Sequence, residues 1–124
     1  MAYLFDSYAI IEVLKGSRTY APFASSDLVF TNKLHLAEAY FYFVKNGATE
    51  KAEQVFDSFS LHSIDIPDAV IKTAMRFRFE FNKGRKSKIS YADAIGYELA
   101  KFKRVKFLTG DDSFEKLPNV EFVK

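Results

Sequence analysis

The chain has 124 residues, a length that fits one domain and lets roughly 65–70% of the unfolded chain's surface be buried. Its 18 Lys and Arg against 16 Asp and Glu leave a net charge of +2, which neither demands nor excludes a polyanionic partner. The absence of cysteine excludes disulfides, thiolate catalysis and zinc held by sulfur, and it fits a reducing intracellular setting most easily.

Residues Tyr3 to Phe5 form a short apolar run that predicts a strand. SYAIIEVLKG follows, with Ile10, Ile11, Val13 and Leu14 at helical spacing before Gly16 stops it. Leu28-Val29-Phe30 predicts a second strand, and from Lys33 the residues Leu34, Ala37, Tyr40, Phe41 and Val44 recur at three and four until Asn46-Gly47. A further helix is predicted over Thr49 to Phe59. Ser63-Ile64-Asp65-Ile66 then alternates like a third strand before Pro67, a residue suited to the first turn of a helix. RFRFEF, residues 76 to 81, also alternates, but Val70, Ala74, Phe77 and Phe81 continue a helical stripe, so helix is favoured. After the polar loop NKGRKSK, Ser90 and Asp93 make a capping-box pattern ahead of Ala94, Ile95, Leu99 and Phe102. Val105 to Thr109 predicts the fourth strand, Asp111 to Lys116 a short helical turn, and Val120 to Phe122 a last strand. Parallel neighbours need crossover helices, so this alternation predicts a three-layer α/β/α fold with a central, mainly parallel sheet. No apolar run approaches the ~18 residues needed to cross a bilayer, and MAYLFDSYAII lacks a basic leader and meets acid at Asp6. A cytoplasmic protein with no membrane association is expected.

Ligands of open parallel sheets bind outside the carboxyl ends of the strands. Asp6 follows the first predicted strand, Asp111 follows the fourth, and Glu38 and Asp93 lie early in helices that can enter from the same edge. Four carboxylates brought to one edge repel each other unless a cation joins them. Oxygen-only ligands favour Mg²⁺ or Mn²⁺ over zinc. Each acid also has a plainer reading. Asp6 and Asp111 can be N-caps of the elements that follow them, and Asp93 can be the N3 partner of Ser90. Glu38 borders the apolar stripe of its helix, with no Lys or Arg three or four residues away, and so calls for a partner from elsewhere.

These pieces, DSYAIIEVLKG, LAEAY, SYADAIGYELA and FLTGDDSFEKLPNVEFV in this order, resemble the PIN-domain family and within it the VapC-type toxins of prokaryotic toxin–antitoxin pairs. The resemblance covers nearly the whole chain and implies one nuclease domain over residues 1–124. It implies a metal-dependent endoribonuclease whose Asp6, Glu38, Asp93 and Asp111 hold Mg²⁺ or Mn²⁺, with Glu38 either a ligand or the group that orients water. Thr109 matches a supporting hydroxyl before the last acid. A homodimer and a cognate antitoxin are implied as partners beside the RNA substrate. Two positions depart from the pattern. Tyr8 stands where a small hydroxyl or amide is usual, so that contact is either absent or supplied by Ser7, and Ser113 stands where a further acid is common. Asp112 is read as a dipole partner in the first turn after Asp111.

Lys83, Arg85, Lys86 and Lys88 place four positive charges just ahead of the Asp93 helix, where RNA could run, though a solvated loop is the plainer reading. Lys101, Lys103, Arg104 and Lys106 suit a wet helix end. The rings of Tyr40 to Phe43 encircle their helix, so some should meet a partner subunit or an antitoxin peptide, with an unusually large core as the plainer reading. His35 and His62 are read as surface or core residues. Among other classes, a response-receiver-like module wants paired acids after the first strand, where only Asp6 stands. A haloacid-dehalogenase-type phosphatase wants an aspartate where Tyr8 stands. A PIN domain that processes RNA without being a toxin shares the same acids, whereas one that binds RNA without cutting it is disfavoured because all four matching acids are present.

Overall fold

The computed structural model describes residues 1–124. Its sheet has four strands, β1 (Ala2–Phe5), β2 (Leu28–Phe30), β3 (Lys106–Thr109) and β4 (Val120–Phe122). They lie in the order β2-β1-β3-β4, and every neighbouring pair is parallel. Tyr3 pairs with Val29 and Lys106, Leu4 with Phe30 and Phe107, and Phe5 with Leu108. Side chains alternate faces along a strand, so the two faces collect different residues.

On one face Tyr3, Phe5 and Leu108 pack with Ile10 of α1 (Ser7–Leu14), Leu36 and Phe43 of α3 (Lys33–Lys45) and Val55 and Phe59 of α4 (Thr49–Phe59). On the other, Leu4 and Phe107 pack with Val70 and Ala74 of α5 (Asp68–Asn82) and Ile95 and Leu99 of α6 (Tyr91–Lys103). These are the three layers that the alternation predicts. A short helix, α2 (Ala21–Ala24), escapes the periodicity because its four residues complete barely one turn. Residues 76–81 are helical within α5; Phe77 and Phe81 face the core while Phe79 is exposed.

The predicted strand at residues 63–66 does not form. One parallel bridge joins Thr31 to Ser63, through Thr31 N to His62 O and Ile64 N to Thr31 O, and pairing stops there. Its would-be neighbour has already turned: Asn32 caps α3, so β2 offers no further backbone partners beyond Thr31. Pro67 then removes the next donor on the other side. Ile64 and Ile66 still pack against the second core, which explains why the segment alternates without being a strand.

Candidate active site

The chain leaves β1 toward β2 on one side and returns to β3 on the other, so the carboxyl ends of β1 and β3 flank a topological switch point. Asp6 stands there. Its backbone N still bonds Leu108 O, which continues the ladder one residue past β1 and holds the side chain over the end of β3. Asp6 Oδ1 accepts from Ala9 N at 2.8 Å, and Oδ2 accepts a short hydrogen bond from the Thr109 hydroxyl. Thr109 Oγ1 in turn accepts from Asp111 N at 3.0 Å, and Asp111 Oδ1 accepts from Ser113 N at 2.9 Å. Asp6 and Asp111 are therefore both caps, as the plainer reading has it, and are also tied to each other through Thr109.

Two further helix starts meet this edge. Asn32 Oδ1 accepts from Leu34 N at 2.9 Å and His35 N at 3.1 Å, fixing the first turn of α3. Ser90 Oγ accepts from Asp93 N at 3.0 Å and does the same for α6. One ligand atom each of His35, Glu38 and Asp93 lie within 4.8 Å of one another. Asp6 and Asp111 sit beside this knot rather than in it, near enough to share its charge: Asp93 acts on Asp6, and Asp111 acts on Asp93.

Burial pushes the Asp6 carboxyl up to about 7, against the opposing pull of His35, Thr109 and Ala9 N and with a further push from Asp93. Burial also raises Asp93, which His35 and the Ser90 contact oppose and the charges of Glu38 and Asp111 reinforce. In Glu38 the upward effect of burial is outweighed by contacts with His35 and Ser7, so its carboxyl stays below the ordinary value. Glu38 is also the most open member of the knot, its side chain 42% exposed. Asp6, Asp93 and Asp111 pair with no Lys or Arg. Crowded acids without cationic partners, beside a buried imidazole whose two ring nitrogens lack hydrogen-bond partners, suit a divalent cation as donor set.

Several expectations need correction. Glu38 does have a partner on its own helix: His35 Nδ1 lies 3.6 Å from its Oε1, three residues back. His35 is fully buried, as one of its two readings allows, but its ring belongs to the acidic edge rather than to apolar core alone. The i, i+3 spacing to Glu38 was the available signal. Asn32 was also missed, although an Asn directly before a periodic run is a cap signature. Ser7 lies beside Glu38 and helps hold its carboxyl low. Asp112 turns away and pairs with Lys124 at 2.7 Å, in keeping with a role outside the site.

Tyr8 is accommodated by Gly110: a Cβ at that glycine would lie 2.2 Å from the Tyr8 ring. Gly110→Ala is expected to cost about 1–3 kcal/mol by overpacking. Adding Tyr8→Ser should restore most of it, a result checked by urea denaturation of the single and double variants.

In the basic loop, part of the charge is used internally. Lys88 Nζ donates to Asn82 O at 2.7 Å, the Arg85 guanidinium lies 4.2 Å from the Phe81 ring centre, and Lys83 pairs with Glu80 at 3.2 Å. Lys86 is exposed. Asn82 staples the loop by bonding both the N and the O of Ile89, just before the Ser90 cap. His62 is exposed, as its surface reading has it, and meets the Phe59 ring edge-on.

No protein-family model and no curated protein matches the chain. Solved structures do. A toxin–antitoxin complex from Klebsiella pneumoniae superposes with a TM-score of 0.73 at 20% identity, covering 96% of this chain and 95% of that one. VapBC2 from Rickettsia felis, bound to a DNA fragment from its promoter, gives 0.73 at 18% identity, covering 99% and 98%. VapC20 from Mycobacterium tuberculosis, described as a sarcin-ricin loop cleaving toxin, gives 0.72 at 14% identity, covering 95% and 98%. The chain thus has the three-layer PIN-type fold of these toxin structures, over essentially its whole length and theirs.

Proposed function

We propose that residues 1–124 form one metal-dependent endoribonuclease domain, the toxin of a VapBC-type pair, in which Asp6, Glu38, Asp93 and Asp111 hold Mg²⁺ or Mn²⁺. The observation that carries this reading is the set of acids without Lys or Arg partners, gathered over the carboxyl edge of a parallel sheet. The likeness to a toxin described as cleaving the sarcin-ricin loop supports RNA as the substrate class, and the likeness to toxin–antitoxin complexes supports an antitoxin partner.

A divalent ion bound there supplies a lower pKa for an attacking water and neutralises charge on the scissile phosphate. The chain's residues do the rest. Ala9 N and Thr109 hold both Asp6 oxygens in place, and the Ser90 cap sets the start of the helix that carries Asp93. Glu38, open to solvent and kept ionised by its contacts, is suited to ligate the ion with one oxygen or, instead, to orient the attacking water. An O–P bond forms to that water as it gives up a proton, the P–O bond to the departing sugar oxygen breaks, and that oxygen takes a proton from bulk water. Lys83, Arg85, Lys86 and Lys88 lie at the end of α5 and in the loop leading to Ser90, where they can meet the RNA backbone.

Phe41 is 63% exposed and Val44 48%. With Ala37, Tyr40 and Phe56 they line an apolar groove of about 490 Å³ on the outer side of α3 and α4. Phe43 is buried, so the four rings do point around the helix, and the outer ones suit a homodimer or antitoxin contact. The protein is read as cytoplasmic; no helix is long and apolar enough to cross a membrane.

The test is incubation of the purified, antitoxin-free protein with end-labelled RNA in Mn²⁺, in Mg²⁺ and in excess EDTA. Cleavage with metal and none with chelator is expected; uncut RNA in both metals, or equal cutting in EDTA, would sink the proposal. Thr109→Val removes the hydroxyl that orients Asp6 and should lower activity or metal affinity about 10–100-fold, measured by titrating Mn²⁺ against the cleavage rate.

A further inference from the structure

His35 is the buried group that the carboxylate reading leaves unused. Its ring is fully buried, and neither nitrogen has a hydrogen-bond partner. In a neutral imidazole one nitrogen donates and the other accepts, so burying both without partners is unfavourable. An apolar side chain of similar volume would fill the space without that cost.

The ring's orientation is set by its surroundings. Nε2 is pressed against the backbone of α6 at Gly96, where a Cβ would lie 2.3 Å away, and the ring centre is 6.2 Å from that of Phe107. Only a glycine at position 96 leaves room for this approach, one helical turn beyond Asp93. Nδ1 is left facing the acids, 3.6 Å from Glu38 Oε1. A ligand atom of His35 lies within 4.8 Å of both Glu38 and Asp93, a spacing that one cation can bridge.

We propose that His35 Nδ1 is a nitrogen ligand of the cation held by Glu38 and Asp93, and that it biases the site toward Mn²⁺ over Mg²⁺. The inference rests on the acids being a cation site, as proposed above. Imidazole binds transition ions well, whereas Mg²⁺ strongly prefers oxygen, so one nitrogen among carboxylates shifts the choice of metal. Ligation satisfies Nδ1 and places the ring proton on Nε2, toward Gly96.

The test uses the full chain freed of metal and then loaded with Mn²⁺ alone or Mg²⁺ alone. Pulsed electron paramagnetic resonance of the Mn²⁺-loaded parent should show ¹⁴N coupling, and that coupling should vanish in His35→Asn. Calorimetry should show Mn²⁺ binding weakened about tenfold or more in His35→Asn, with Mg²⁺ binding much less affected. The spectrum of the parent needs no variant, so the result stands even if His35→Asn folds poorly. Tight Mn²⁺ binding without ¹⁴N coupling overturns the role of His35 while leaving the carboxylate site intact. No Mn²⁺ binding and an unchanged melting temperature overturn the carboxylate site, and this inference with it.

Discussion

Asp93→Asn is expected to lower RNA cleavage by two to three orders of magnitude and, in the same preparation, to raise the melting temperature of the metal-free protein. The two effects share one cause. Asp93 is partly buried, close to Glu38 and Asp111, and its carboxyl is raised by burial and by their charges. In the metal-free protein a neutral amide of the same shape removes repulsion. The helix start is untouched, because Ser90 accepts from the backbone N of residue 93 and not from its side chain. In the loaded enzyme the same change removes a charged ligand, and a loss of about 3–4 kcal/mol of transition-state stabilisation corresponds to the stated fall in rate. Single-turnover cleavage in Mn²⁺ and thermal melts in EDTA check both halves. Unchanged cleavage would remove Asp93 from the chemistry, and a lowered metal-free melting temperature would show that its role is structural.

The second large effect is on stability against pH. Asp6 has a folded pKa of about 7, well above the ordinary carboxylate value near ~4 that it takes in the unfolded chain. Between those values the folded state binds more protons than the unfolded one, so unfolding free energy falls as pH rises. The contribution is fully present below the unfolded value and lost as pH rises through about 7. Asp93 is displaced in the same direction and adds to the slope. Metal-free protein should therefore be less stable at pH 8 than at pH 5 by a few kcal/mol, since a tenfold difference in proton affinity between the two states is worth about 1.4 kcal/mol. Asp6→Asn should flatten the dependence.

Mn²⁺ should reverse the slope, because protons compete with the cation for the same oxygens. At about 100 times its dissociation constant the ion adds about 2.7 kcal/mol. Urea melts at the two pH values, with EDTA and with Mn²⁺, provide the measurement. A flat metal-free profile would mean that the acids are too solvated to interact.

The elements themselves were legible because their signals are local. Apolar spacing in residues 34–44 and 94–102, Gly16 and Gly47 as stops, and Ser90 as a cap each express the energetics of one turn or one face. The strand predicted at residues 63–66 failed for a non-local reason: Ile64 and Ile66 satisfy a strand pattern, but the neighbour they needed ends at Thr31. The basic loop was legible as charge, while the use of Lys88 and Arg85 in holding the loop together depends on where Asn82 and Phe81 come to lie.

By itself the sequence determined the alternation of strands and helices, hence the α/β/α class, and placed one acid at the start or within the first two turns of each of four elements. Only the tertiary structure decided the order β2-β1-β3-β4, which sets Thr109 against Asp6 across 103 residues of chain and pairs Ser7 with Glu38. It also made buried His35 a neighbour of the acids, through a close approach of α3 to α6 that Gly96 permits. The physical reason is range. Periodicity and capping are settled by interactions within a few residues, whereas the charge environment of a carboxylate is set by whichever elements packing brings beside it.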